Sequence, residues 1–105
     1  MHMISYLQDG RLTLVLSGEI DHHRAKELIR TVEGKIEAYL PKECILDFSD
    51  VGFMDSSGIA VVINALRIVN RLEGKLYLSG IAEQPMRVFR TAGIDKLVQI
   101  KEMVK

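Results

Sequence analysis

Val51-Gly52-Phe53-Met54-Asp55-Ser56-Ser57-Gly58-Ile59-Ala60-Val61-Val62-Ile63 places an acid, two hydroxyls and a glycine where an apolar strand gives way to a helix. Upstream, Cys44-Ile45-Leu46-Asp47-Phe48 is a short apolar run of the kind that makes a buried strand, and Asp50-Val51-Gly52 breaks it. Downstream, Ile59, Val62, Ile63, Leu66 and Val69 recur at the spacing of an amphipathic helix, so the chain turns helical close to Ser57. Asp55 or Ser56 is then the N-cap. The amides of a first helical turn have no intrahelical acceptor and lie at the positive end of the macrodipole, so a phosphate on Ser57 is expected to meet donors and a favourable field. The same residues are also ordinary caps, worth about 0.5–2 kcal/mol against alanine, and local physics alone does not separate the two roles.

A chain of 105 residues is expected to form one domain over 1–105 with a single core. Lys plus Arg and Asp plus Glu number 14 each, so the formal net charge is zero and nothing favours nucleic acid or an anionic membrane. Partners are therefore expected to be proteins. The single cysteine, Cys44, lies in an apolar run, which fits a reducing cytoplasm and an inert buried thiol. No apolar run approaches the roughly 20 residues that span a bilayer, and no basic segment leads an apolar one at the N-terminus. The protein is expected to be cytoplasmic. Met1-His2-Met3 resembles a cloning junction, and His2 is assigned no function.

Working outward, Ile4 to Leu7 and Leu12 to Leu16 are apolar runs separated by Gln8-Asp9-Gly10-Arg11, whose Asp-Gly pair signals a tight hairpin. Asp21 is a plausible cap for a first helix with an apolar stripe of Ala25, Leu28, Ile29, Val32, Ile36 and Tyr39. Pro41-Lys42 precedes a strand at 43–48, the second helix runs from about Ser57 to Leu72, and Glu73-Gly74 stops it. Lys75 to Ser79 reads as a strand. Pro85 suits the first position of a short helix bearing Met86, Val88, Phe89 and Ala92 and closed by Gly93, and Leu97 to Ile100 reads as a last strand. The order implies an α/β domain with a mixed sheet of four to five strands and right-handed crossovers.

Phe53-Met54-Asp55-Ser56-Ser57-Gly58-Ile59, together with Gly18-Glu19-Ile20-Asp21-His22-His23, resembles the bacterial anti-sigma factor antagonists of the STAS-domain family over nearly the whole chain. The resemblance implies a STAS-type domain, not an enzyme, whose serine just before the glycine, here Ser57, is phosphorylated by a serine kinase that is also the anti-sigma factor. It implies that the unphosphorylated form binds the kinase and frees a sigma factor, that phosphorylation releases the kinase, and that a serine phosphatase restores the first state. ATP and Mg²⁺ belong to the kinase, so no cofactor and no metal are expected here, and a monomer is expected. The family usually adds a C-terminal helix, for which Lys101 to Lys105 is too short.

On this basis the partner-binding residues are Asp21, Asp55, Ser56, Ser57, Gly58, Val61 and Asn64, with Arg67 at the margin. Asp21 and Asp55 share one sheet edge if their strands are parallel neighbours, as the family fold implies. Gly58 is expected to allow close approach of a partner or phosphate. Val61, Ala65, Ile68 and Leu72 form a second apolar ridge on helix two, most of it expected to be buried. His22 and His23 point about 100° apart on a helix, so metal binding is not expected. Neither a Gly-x-Ser-x-Gly elbow nor a phosphate-cradling Gly-Lys-Ser/Thr loop is present. Two alternatives stay open: a receiver-like domain phosphorylated on Asp47, with Glu19 and Asp21 as the accompanying acids, and a nucleotide-binding STAS module.

Overall fold

Apolar residues alternate along the central strands. Leu12, Leu14 and Leu16 alternate with Thr13, Val15 and Ser17, and Cys44, Leu46 and Phe48 alternate with Ile45 and Asp47, so each strand presents one apolar face. In the computed structural model, which describes residues 3–101, the first set of each strand is buried and the second half-exposed. The elements run β1 (Ile4–Gln8), β2 (Arg11–Ser17), α1 (His22–Tyr39), β3 (Glu43–Asp50), α2 (Ser57–Arg71), β4 (Lys75–Ser79), α3 (Glu83–Thr91), α4 (Ile94–Leu97) and β5 (Gln99–Lys101). The sheet order is β1-β2-β3-β4-β5, with β1 antiparallel to β2 and all later pairs parallel. Because the parallel strands follow one another in chain order, right-handed crossovers place every connecting helix on the same face. Helices α1 and α2 pack on each other there, and Phe89 of α3 meets Phe48 edge-on at 5.3 Å. The mixed α/β sheet and the alternating order are as expected.

The Asp9-Gly10 hairpin forms as its residues require, with φ of 52° and 81° at the two turn positions. Cys44 is fully buried, and burial pushes its thiol pKa up to about 12, which leaves it uncharged and inert. In α1, Ala25, Leu28, Val32 and Ile36 are buried and Ile29 is half-buried, but Tyr39 stays 44% exposed. It sits on the last turn, immediately before Leu40 leaves the helix in a left-handed conformation.

Several boundaries differ from expectation. Strand β3 continues to Asp50 because Ser17 still pairs with that residue and the Gly18 amide donates to its carbonyl at 3.1 Å. In α2 most of the second ridge is buried, as expected, with Val61, Ala65 and Ile68 in the core together with Val62 and Val69. Ile59, Ile63 and Leu66 are half-buried at its flank, and Leu72, at the C-cap, is exposed. Helix α3 begins two residues before Pro85, which occupies the third helical position, where the missing N–H is still harmless. Ala92 is the exposed C-cap, not a core residue. Gly93, at φ 76°, redirects the chain into the unexpected turn α4, so Leu97 is helical and exposed and the last strand starts at Gln99. The expectations for Met1-His2 and for Glu102 to Lys105 lie outside the described residues.

Candidate functional site

After β2, the chain extends to Ile20, and after β3 it loops through Val51–Phe53 and returns to extended pairing at Met54. Ile20 and Met54 form a parallel bridge in which the Ile20 amide donates to Phe53 O at 3.0 Å and the Asp55 amide donates to Ile20 O at 3.1 Å. Both side chains are fully buried. Bridge geometry turns the remaining polar groups of Met54 the other way, where Gln84 meets them. Met54 N donates to Gln84 Oε1 at 2.8 Å, and Gln84 Nε2 donates to Met54 O at 2.9 Å. The segment leading to Ser57 is therefore hydrogen-bonded along both sides.

Asp21 and Asp55 each follow a residue of this bridge, so they stand side by side on backbones about 4.8 Å apart, the spacing of paired strands. The expectation that both helix starts share one sheet edge is met. Each acid caps its helix, in a different way. Asp21 is the N-cap of α1 and its Oδ1 accepts from Arg24 N at 2.8 Å. The cap position of α2 is Ser56, whose backbone is already helical and whose hydroxyl makes no cap bond; instead Asp55 Oδ1 accepts from Ser57 N at 2.8 Å. The Gly58 amide donates to Asp55 O and the Ile59 amide to Ser56 O, each at 3.1 Å. All three amides that open α2 thus have acceptors inside the protein. A phosphate on Ser57 meets a carboxylate and occupied donors, not the vacant cradle that the bare motif suggests.

Around this turn Ser56 is exposed, Ser57 and Asp55 are half-buried, and Phe53 holds 44% of its surface open to solvent. A groove of about 450 Å³ lies between α2 and α3, lined by Ser56, Ile59, Gln84, Arg87, Val88 and Thr91 among others. Phe53, Gln84 and Arg87 were not among the residues expected from the sequence. An aromatic residue beside a polar turn is the one signal that pointed to Phe53. No local pattern identifies Gln84, because its partner is 30 residues away.

The STAS-domain family model matches residues 3–105. The chain belongs to the STAS domain family. Among its STAS relatives, the anti-sigma-B factor antagonist of Listeria monocytogenes is 28% identical over 95 residues, covering 88% of this chain and 80% of that protein. The fold is similar to that of the anti-sigma factor antagonist SpoIIAA in its unphosphorylated form, with a TM-score of 0.79 and 21% identity over 99% of this chain and 90% of that one. It is similar also to the Bacillus cell fate determinant SpoIIAA in its phosphorylated form, with a TM-score of 0.75 and 21% identity over 99% and 93% of the two chains.

Two residues expected at the surface of this STAS domain are inside it. Val61 is fully buried and packs in the core, so it cannot be read by a partner. Gly58 is also buried, and a Cβ there would lie 2.2 Å from Met54 Sδ and 2.4 Å from Met54 Cγ. The glycine makes room for Met54 within the domain, not for an approaching partner. Asn64 is half-buried and donates its amide to Ala60 O at 2.8 Å, while Arg67 is exposed. His22 and His23 are exposed, and the described residues contain no cluster of three or more metal-ligating side chains. The receiver-like alternative fails on geometry. Asp47 is not at a strand end, its Oδ1 accepts from Ser49 N at 2.9 Å, and no acidic cluster accompanies it among the described residues.

Proposed function

We propose that this STAS domain is an anti-sigma factor antagonist of a partner-switching circuit in the cytoplasm. Unphosphorylated, it binds an anti-sigma factor that is also a serine kinase and so frees a sigma factor. Phosphorylated on Ser57, it releases the kinase, and a serine phosphatase returns it to the binding state. The domain is the kinase's substrate and performs no catalysis itself. It acts as a monomer.

The observation that carries this reading is the placement of Ser57 at the first turn of α2, against the carboxylate of Asp55, whose backbone neighbour across the bridge is Asp21. The names of the relatives, and the phosphorylated state of a protein with the same fold, agree with it. Exposed Phe53 and Ser56, with half-buried Ile59, surround the serine with surface that a partner can cover. A phosphoserine brings about 1.5–2 negative charges to a turn that already holds two acids and has its opening amides engaged. Like-charge contact in a docked interface costs several kcal/mol, and about 1.4 kcal/mol is tenfold in affinity, so charge and bulk suffice for release without refolding.

Incubation with the cognate kinase and MgATP, followed by phosphopeptide mass spectrometry, tests the assignment. Phosphate on Ser57 is expected. Phosphate on Ser56, or an acyl phosphate on Asp47, overturns it.

A further inference from the structure

The lines of β2, β3 and β4 lie side by side, and the first two continue past the sheet as Ile20 and Met54. The third does not. Strand β4 ends at Ser79, and Gly80, at φ 66°, turns the chain away at a point where a Cβ would crowd Ser49 and Asp47. No backbone is left to pair with the outer edge of Met54, whose N–H and C=O lie in a part-buried position where a missing partner is costly. The side-chain amide of Gln84 fills that place. A carboxamide presents an acceptor and a donor with the spacing of a peptide group, and only one orientation of it satisfies both Met54 groups. That is the orientation found, at 2.8 and 2.9 Å.

We propose that Gln84 is a positioning residue for the switch turn: its amide holds Met54, and through it Asp55 and Ser57, in the conformation that the kinase recognises. The proposal rests on Ser57 being the phosphate acceptor, as argued above. Three connections carry it. Met54 is bonded only one residue before Asp55, whose carboxylate holds the Ser57 amide. The Met54 side chain fills the space left by Gly58, so displacement of Met54 also disturbs the first turn of α2. Gln84 lies in the first turn of α3 and lines the same groove as Ser56 and Ile59, so a body seated in that groove touches the clamp itself. Helix α3, without contributing a residue to the motif, thereby sets how the motif is displayed.

The test uses Gln84→Leu, similar in size and unable to hydrogen-bond, and Gln84→Glu, which keeps the acceptor and changes the donor into a titratable oxygen. Without any kinase, hydrogen exchange of the Met54 and Asp55 amides is measured by NMR. In Gln84→Leu both are expected to exchange at least tenfold faster, on the order of the loss of one or two hydrogen bonds, while β3 amides keep their protection. In Gln84→Glu the neutral acid can donate to Met54 O whereas the carboxylate repels it. Compared with wild type at the same pH, which removes the intrinsic rise of exchange with pH, Met54 exchange is therefore expected to match wild type while the introduced acid is neutral and to be relatively faster once it ionises. With the cognate kinase and MgATP, Gln84→Leu is expected to raise KM about tenfold and leave kcat within about twofold, because fewer molecules present the competent turn.

Unchanged exchange at Met54 in both variants overturns the clamp. Faster exchange with unchanged KM and kcat overturns its positioning role. If Gln84→Leu does not fold, the pH dependence of Gln84→Glu, with its KM measured above and below its titration, decides the matter by the same criteria. Failure of the parent reading is separately visible, as wild-type protein that carries no phosphate on Ser57.

Discussion

Asp21 and Asp55 stand at corresponding points of neighbouring parallel lines of chain, each just before a helix, yet they hold their helices differently. Asp21 makes the common cap, three residues forward to Arg24 N, and is exposed. Asp55 reaches two residues forward to Ser57 N, is half-buried, and is fixed by Ile20 on one side and, through Met54, by Gln84 on the other. The difference extends to the glycines of the two helices. Gly34 in α1 faces open space, while Gly58 in α2 is filled by Met54. The start of α1 is therefore a helix end that happens to lie beside the site. The start of α2 is held by hydrogen bonds on both sides of the segment that leads to Ser57.

The sharpest way to break this contrast is charge at the serine. Ser57→Asp is expected to weaken kinase binding about a hundredfold, as follows from a like-charge cost of several kcal/mol. Its melting temperature is expected to move by only a few degrees, because the favourable helix-terminus field is already used by Asp55. Titration calorimetry and thermal unfolding of the same sample separate the two effects, and unchanged affinity with a large loss of stability would show that the serine is structural.

Gly58→Val comes next in size. The new side chain meets the buried Met54 thioether, an overpacking that costs about 1–3 kcal/mol. At about 4–8 °C per kcal/mol for a domain of this size, the melting temperature is expected to fall by roughly 4–24 °C. A melting temperature equal to that of wild type, with kinase binding lost, would return Gly58 to the surface role that its buried position denies it.

What the sequence made legible follows the range of the forces involved. The hairpin, α1, α2 and the alternation of β2 and β3 depend on local turn chemistry and on hydrophobic period, and each was placed within a few residues. The motif also located Asp21, Asp55 and Ser57 together, because neighbouring parallel strands deliver both helix starts to one edge. The misses have tertiary causes. The side of α2 that is buried depends on α1 and β4 together, so Val61 looked available from α2 alone. The opening amides of α2 looked free because the Asp55 carboxylate turns back to claim the first of them, and Gln84 had no local mark at all. The motif alone suggests an open approach at Gly58, because its spacing does not show the Met54 thioether that occupies the space.

Asp21→Asn removes the charge at the start of α1 and keeps its cap. Asparagine caps as well as aspartate, so α1 and the melting temperature are expected to be unaffected. Loss of the charge at an exposed rim position is expected to change the association rate with the kinase by about threefold and to flatten its salt dependence, with little change in the dissociation rate. Stopped-flow association at two ionic strengths measures this. An unchanged rate at both would leave Asp21 as a cap and confine the recognition surface to the turn from Phe53 to Ser57.

The smallest expected effect is Gly34→Ala, and it asks whether α1 is as ordinary as its cap suggests. Gly34 is exposed in the interior of α1, and a Cβ built there has no atom within 4 Å. A glycine in such a place weakens its helix by about 0.5–1 kcal/mol relative to alanine, chiefly through the freedom it keeps in the unfolded chain. The substitution is therefore expected to raise the melting temperature by roughly 2–8 °C. Gly34 lies about 20 Å along the helix from the Asp21 end at 1.5 Å per residue, so kinase affinity and phosphorylation rate are expected to match wild type. The same replacement of hydrogen by methyl at Gly58 would press on Met54 and act in the opposite sense. If Gly34→Ala instead lowered the melting temperature or slowed phosphorylation, α1 would have to carry a contact or a motion tied to the switch, and the division between an ordinary helix and a specialised one would fail.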